Sequence, residues 1–293
     1  MNAIETKNLT KYYGKSRGIV GVDITVEQGD FVGFVGPNAS GKSTTIRTLL
    51  GLIAPTSGSA KVLGMDIRTD TTEILSRVGY LPSETAFYSG ARVRDILEYS
   101  ARLHKKDCRK EAAALCTRLQ LDPSRRISEL SLGNRKKVGI VCALQHSPEL
   151  YILDEPTGGL DPLMQQEFYA LLRERNEQGA TVFLSSHILS EVSRYCSRAV
   201  IIREGRVVAS DTVEALGGSD VKRVTLKGAD SLPQLEGISG LAQDGQSVSF
   251  LYRGDIHRLI QALAQVSFED VTIVDPPLDE VFMHYYAEEG ANK

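Results

Sequence analysis

Residues 33–45 read GFVGPNASGKSTT and hold Gly36, Gly41, Lys42 and Ser43 in the spacing G-x-x-x-x-G-K-S. Glycines at that spacing let backbone N–H groups turn inward around the β- and γ-phosphates of a nucleotide. The candidate cradle is therefore Gly36, Pro37, Asn38, Ala39, Ser40, Gly41, Lys42, Ser43 and Thr44. Lys42 brings a positive charge, Ser43 a hydroxyl ligand for Mg²⁺, and a following helix aims its N-terminus at the anion. A second group, Ile152-Leu153-Asp154-Glu155-Pro156, ends an apolar run in adjacent carboxylates. Side chains alternate along a strand, so the two acids face different places: one holds Mg²⁺, the other polarises the attacking water as general base. Alone, the same pair reads equally as two solvated acids in a turn.

Two further groups carry chemistry at element ends. Ser185-Ser186-His187 closes a second apolar run. A lone histidine is more often structural, but ligands in open α/β sheets collect outside the carboxyl ends of strands, where His187 would hold the γ-phosphate and attacking water. Leu130-Ser131-Leu132-Gly133 precedes a basic helix. Ser131 and the Gly133 backbone offer another phosphate-binding end, which makes sense beside an existing cradle if it serves a nucleotide held by a second copy. A plain helix cap fits the spacing equally well.

These groups need a scaffold of strands feeding helices. Ile19–Val26 and Asp30–Gly36 read as short strands, the second running into the glycine loop, and 43–52 as a helix ended by Ala54-Pro55-Thr56-Ser57-Gly58. Residues 92–147 read as mostly helical, 149–153 and 180–185 as buried strands, and 163–177 as a helix. Alternating strands and helices predict an α/β fold with a mainly parallel sheet, interrupted by a helical insertion at about 84–147. After Gly217-Gly218-Ser219-Asp220, residues 221–293 read as a small α+β accessory domain. It comprises strands at 221–227, 247–252 and 268–274, a helix capped by Asp255, and an amphipathic helix carrying Leu278, Val281, Phe282 and Tyr285.

Composition removes several classes. The 293 residues carry 42% hydrophobic and 24% charged residues, ordinary for a globular chain. With 34 basic and 37 acidic residues the net charge is −3, so no whole-chain field attracts nucleic acid or an anionic membrane, and no nucleic-acid partner is expected. Four scattered cysteines without a Cys-x-x-Cys pair, and no signal-peptide pattern, predict reduced thiols in a cytoplasmic protein. No run approaches the about 18 apolar residues of a membrane span. Any membrane partner is another chain.

As a set, these residues resemble the ATP-binding cassette family over residues 1–216. The order is that of the family: an aromatic in Lys11-Tyr12-Tyr13-Gly14, the glycine loop, the LSxG signature at Leu130–Gly133, ILDEP, a Gly159-Leu160-Asp161 D-loop and the switch His187. The resemblance implies a P-loop NTPase that binds ATP and Mg²⁺ and dimerises with a second copy around two nucleotides. It implies that Tyr13 stacks on adenine, that Ser131 and Gly133 reach the partner's γ-phosphate, that Glu155 is the base and that Asp161 couples the two sites. Ser43, Ser83 and Asp154 fall where the family holds its metal. The tail is similar to that of ATPase subunits of two-component bacterial exporters of drugs, antibiotics or peptides. The resemblance thus implies an integral-membrane permease partner, contacted through Thr85–Asp95, and a place on the inner face of the cell membrane.

The family usually has Gly at Ala39, Gly at Leu132, Gln at Asn134 and Gln at Ser83. Serine is too short to meet both the metal and the membrane subunit, which implies a slower ATPase than the family norm. The alternative readings are an importer subunit or a soluble cassette ATPase acting on ribosomes or DNA. The ribosomal type usually carries two cassettes and the DNA type a long coiled-coil insertion. A kinase or GTPase reading lacks Asn-Lys-x-Asp and leaves the signature unexplained.

Overall fold

The computed structural model describes residues 1–217 and 221–276 and divides the chain into two compact units, Met1–Asp211 and Thr212–Lys293. In the first unit, strands Phe31–Val35, Leu150–Asp154 and Thr181–Ser186 are buried along their whole length. That pattern belongs to a parallel sheet covered on both faces. They pair in parallel with one another, with Val78–Leu81 at one flank and Arg198–Arg203 at the other. Arg206–Thr212 completes the six-stranded sheet beside Arg198–Arg203. Phe34 stacks on Phe183 with ring centroids 5.3 Å apart, joining neighbouring strands within the core.

A second, antiparallel sheet is the main departure from the expected architecture. Asn2–Tyr13 is one twelve-residue strand, absent from the sequence reading. Its burial does not alternate cleanly and Asn8 has a φ of 49°, so its period-2 signal is broken. The run expected as one strand over 19–26 is two, Ser16–Val22 and Thr25–Glu27, both paired with Asn2–Tyr13. They part at Asp23, whose Oδ1 accepts the Asn8 N–H at 2.6 Å.

The insertion between Val78–Leu81 and Leu150–Asp154 carries helices Val93–Leu103, Arg109–Arg118 and Leu132–Leu144. Arg118 forks to Glu167 and Glu174, and Arg175 pairs with Glu111, so Arg109–Arg118 is fastened by charge to the sheet-covering helix Pro162–Glu177. No helix among the described residues is long and apolar enough to cross a membrane.

Among the described residues the second unit holds four antiparallel strands rather than three, ordered Ile238–Asp244, Ser247–Arg253, Val221–Lys227, Asp270–Val274. The missed strand, Ile238–Asp244, is an exposed edge with an irregular register between Ser239 and Ala242, and so lacks alternation. Helix Ile256–Leu263 is capped by Asp255, whose side chain accepts the His257 N–H at 2.8 Å. Val224, Leu226, Phe250, Leu259 and Leu263 form the core of this unit. The linker residues 218–220 and the amphipathic helix expected over 278–285 lie outside the described residues.

At the seam of insertion and sheet, His104 and His146 stack face to face, 3.6 Å between ring centroids. His146 is buried, with Nε2 3.3 Å from the Val78 carbonyl oxygen and Nδ1 without a hydrogen-bond partner. Burial, and then the neighbouring His104 and Lys106 charges, push its pKa from 6.5 down to about 4. The unfolded chain therefore binds this proton first as pH falls, and the stability held above pH 6.5 drains away towards pH 4. Between about pH 7.5 and about pH 5 the wild type is expected to lose about 2 kcal/mol more than His146→Gln, read from urea midpoints.

Candidate functional site

Three strand ends meet because of register. Val35 pairs with Ser186 and Asp154 with Ser185, so the glycine loop, the carboxylate pair and the histidine leave the sheet side by side. An open cleft of about 980 Å³ forms there, lined by Tyr13, Asn38, Ala39, Gly41, Lys42, Ser43, Thr44, Ser83 and Glu155 among others.

The loop after Phe31–Val35 begins at buried Gly36, exposes Pro37, Asn38 and Ala39, and returns to buried Ser40. Gly41 caps helix Lys42–Leu49 at a φ of 110°, backbone that an L side chain resists. Ala39 also has a positive φ of 63°, so the residue that replaces the usual glycine pays the left-handed strain. Lys42 is only 5% exposed and donates to the carbonyls of Gly36 at 2.7 Å and Pro37 at 3.1 Å. Its Nζ lies 3.4 Å from Glu155 Oε1.

The two acids part company at the strand end. Asp154 is the last residue of its strand and fully buried, whereas Glu155 leaves it with a φ of 44°. Ser185 ties them together: its hydroxyl donates to Asp154 Oδ1 at 2.6 Å and accepts the Glu155 N–H at 3.0 Å. Asp154 Oδ2 is buried without a hydrogen-bond partner. Glu155 Oε2 lies 3.2 Å from Nδ1 of half-exposed His187.

Tyr13 closes its strand 48% exposed at the cleft, with Lys11 Nζ 5.4 Å from its ring centroid. Ser83 follows Val78–Leu81 and also lines the cleft. Ser131 is the N-cap of Leu132–Leu144, accepting the Asn134 N–H at 3.3 Å, the helix cap that the spacing of the signature left open. Gly133 packs so close to the D-loop that a Cβ there would meet the Gly159 carbonyl oxygen at 2.5 Å. Asp161 is likewise an N-cap, of Pro162–Glu177, accepting from the Met164 N–H at 3.0 Å. Within one chain, Ser131 and Asp161 thus use their side chains as exposed helix caps.

Two positioning groups escaped the sequence reading. Ser185 was present in Ser185-Ser186-His187, but only the register sets it opposite Asp154. Glu191 collects hydrogen bonds from Thr157, Tyr169 and Ser186 on one carboxylate oxygen, joining the segment after Glu155 to the strand that ends before His187.

The sequence model of the ABC transporter family matches residues 19–158. Bacitracin transport ATP-binding protein BcrA of Bacillus licheniformis is 41% identical over 212 residues, 70% of this chain and 68% of that protein. The chain belongs to the ABC transporter ATP-binding proteins. YhaQ of Bacillus subtilis, an uncharacterized ABC transporter ATP-binding protein, is 30% identical over 94% of this chain and 96% of its own length. The dimeric structure of MJ0796, a bacterial ABC transporter cassette, superposes with a TM-score of 0.66 at 25% identity, covering 72% of this chain and 98% of that one. The described architecture is that of an ABC cassette, and the chain is an ATP-binding ATPase subunit of this family.

The Ser185 bridge gives this cassette a test. Ser185→Ala strips a donor from buried Asp154 and an acceptor from the Glu155 N–H. It is expected to cost about 2 kcal/mol in a urea titration and to lower ATP turnover at least about tenfold.

Proposed function

We propose that this chain is the ATPase subunit of an exporter, closing with a second copy on two ATP molecules and passing the stroke to a separate membrane permease. The observation that carries the hydrolytic reading is the cluster of Lys42, Glu155 and His187, within 3.4 Å and 3.2 Å of one another through Glu155 at the mouth of the glycine loop. The backbone N–H groups of the loop and Lys42 bind the β- and γ-phosphates, and the ring of Tyr13 lies against the adenine. Glu155 takes the proton of the attacking water, and His187 orients Glu155 and that water. Left-handed backbone at Glu155 turns its carboxylate away from the path of the strand, towards Lys42 and His187.

The fit to Mg²⁺ rests on Asp154, whose Oδ2 is a buried carboxylate oxygen without a partner, the kind of group that a cation or its bound water satisfies. Ser43 and Asp154 would hold the ion, with Ser83 at the cleft wall. When bound, it neutralises phosphate charge and aligns the γ-phosphate for in-line attack. Ser83 brings a short hydroxyl to that wall, which supports turnover slower than the family norm.

The second copy is supported by Ser131 and Asp161, exposed N-caps whose helix ends suit an anion and a facing loop. The cassette MJ0796 has a dimeric structure. Permease contact is assigned to Thr85–Asp95, where Tyr88 is 83% exposed. Export of an antibiotic-like or peptide cargo follows the likeness to BcrA, named for bacitracin transport.

Glu155→Gln decides the hydrolytic part. It is expected to keep ATP affinity within about threefold, cut turnover by about 100-fold or more, and shift the chain to a dimer in size-exclusion chromatography with ATP. The same variant, tagged and solubilised from cells in detergent with ATP, is expected to bring a polytopic membrane protein with it. Ribosomes or DNA in its place would overturn the transport assignment.

A further inference from the structure

Lys136 lies in the second turn of Leu132–Leu144 and is 3% exposed, an unusual place for an ammonium group. Its Nζ donates to the carbonyl oxygens of Pro82 at 3.1 Å and Ser83 at 2.9 Å. These two residues begin the segment that leaves the sheet for the helical insertion. One turn further along the same helix, Gly139 lets that segment press in: a Cβ there would meet Thr85 Cγ2 at 2.7 Å and Leu81 Cδ1 at 2.8 Å. Segment 81–85 is thus fastened to the signature helix at two successive turns, by charge at one and by close approach at the other. Lys136, Ser83 and Thr85 also line the cleft that contains Lys42, Ser43 and Glu155.

A tie between backbone and helix does not need a charge. A buried ammonium brings a desolvation penalty that an amide or a methyl-rich side chain avoids, so stability alone does not account for Lys136. Burial pushes its pKa down to about 8, while the charges of Asp154 and Glu155 hold it up. Glu155 lines the cleft, and Asp154 is buried at the end of the strand just before it.

We propose that Lys136 is a positioning residue for ATP hydrolysis, clamping the Pro82–Ser83 backbone to the signature helix and holding its positive charge at the cleft wall that it shares with Glu155. Movement of the helix that starts at Ser131 then carries Ser83 with it, and displacement at the cleft is felt at Ser131. The charge also supplies from the helix a reach into the cleft that the short Ser83 side chain lacks. This inference rests on the reading of the cleft as an ATPase site.

The test compares purified full-length wild type, Lys136→Met, Lys136→Arg, Ser83→Gln and the Lys136→Met/Ser83→Gln double variant. Methionine fills the buried volume and removes only the charge and donors. Lys136→Met is expected to lower kcat about tenfold while KM for ATP stays within about twofold, and Lys136→Arg to restore most of kcat. Without nucleotide, amide hydrogen exchange across 82–89 is expected to quicken in Lys136→Met and to return to the wild-type rate in Lys136→Arg. With glutamine at position 83 the loss from Lys136→Met should shrink to about threefold or less, the non-additivity of two groups serving one wall. An unchanged kcat, a loss of kcat and KM in step with the melting temperature, or unchanged exchange across 82–89 would overturn the proposal. A wild type without turnover would overturn the ATPase reading instead, and the clamp would then be decided by the exchange rates alone.

Discussion

The hydroxyl of Ser185 stands between Asp154 and Glu155, and most of the cleft depends on that bridge. A carboxylate with no solvent exposure is tolerated only if hydrogen bonds or a cation replace its water. Ser185 supplies one such bond to Asp154 Oδ1, and Oδ2 stays buried without a hydrogen-bond partner. By accepting the Glu155 N–H, the same hydroxyl anchors the residue that turns into left-handed backbone.

The bridge exists only because the parallel strands hold a register. Sliding Thr181–Ser186 by one residue would send Ser185 to the other face of the sheet and bring His187 away from Glu155. The apolar cores on both faces oppose such a slip, since Val182, Phe183 and Leu184 are all buried. Core packing on the sheet faces therefore sets the distances among polar groups at the sheet's edge. The electrostatic cluster of Lys42, Glu155 and His187 is inexpensive to assemble because the backbone has already brought its members together.

The helical insertion is bound to this centre from two sides. Arg118 and Arg175 fasten Arg109–Arg118 to the helix Pro162–Glu177, while Lys136 fastens Leu132–Leu144 to the loop after Val78–Leu81. Gly133 meets the D-loop at Gly159 on the same helix that Lys136 uses. One helix thus touches the D-loop at its start and the cleft-wall loop about one turn later. Such a rod passes displacement between those loops with little bending, which suits a subunit that converts phosphate chemistry into movement.

Motif order and local pattern determined the family, the glycine loop and the α/β architecture, and singled out Lys42, Glu155 and His187, because each depends on residue type at short spacing. The buried strands were legible as apolar runs, and the Asp255 cap as a residue before a helical period. The antiparallel strand Asn2–Tyr13 and the edge strand Ile238–Asp244 were not, since their partners are distant and their alternation is broken by Asn8 and by the irregular register after Ser239. Tertiary structure alone decided that Ser185 meets Asp154 and that Lys136 reaches the carbonyls of Pro82 and Ser83. These contacts join residues far apart in the chain, so strand register and helix packing select them, and no spacing along the sequence records them.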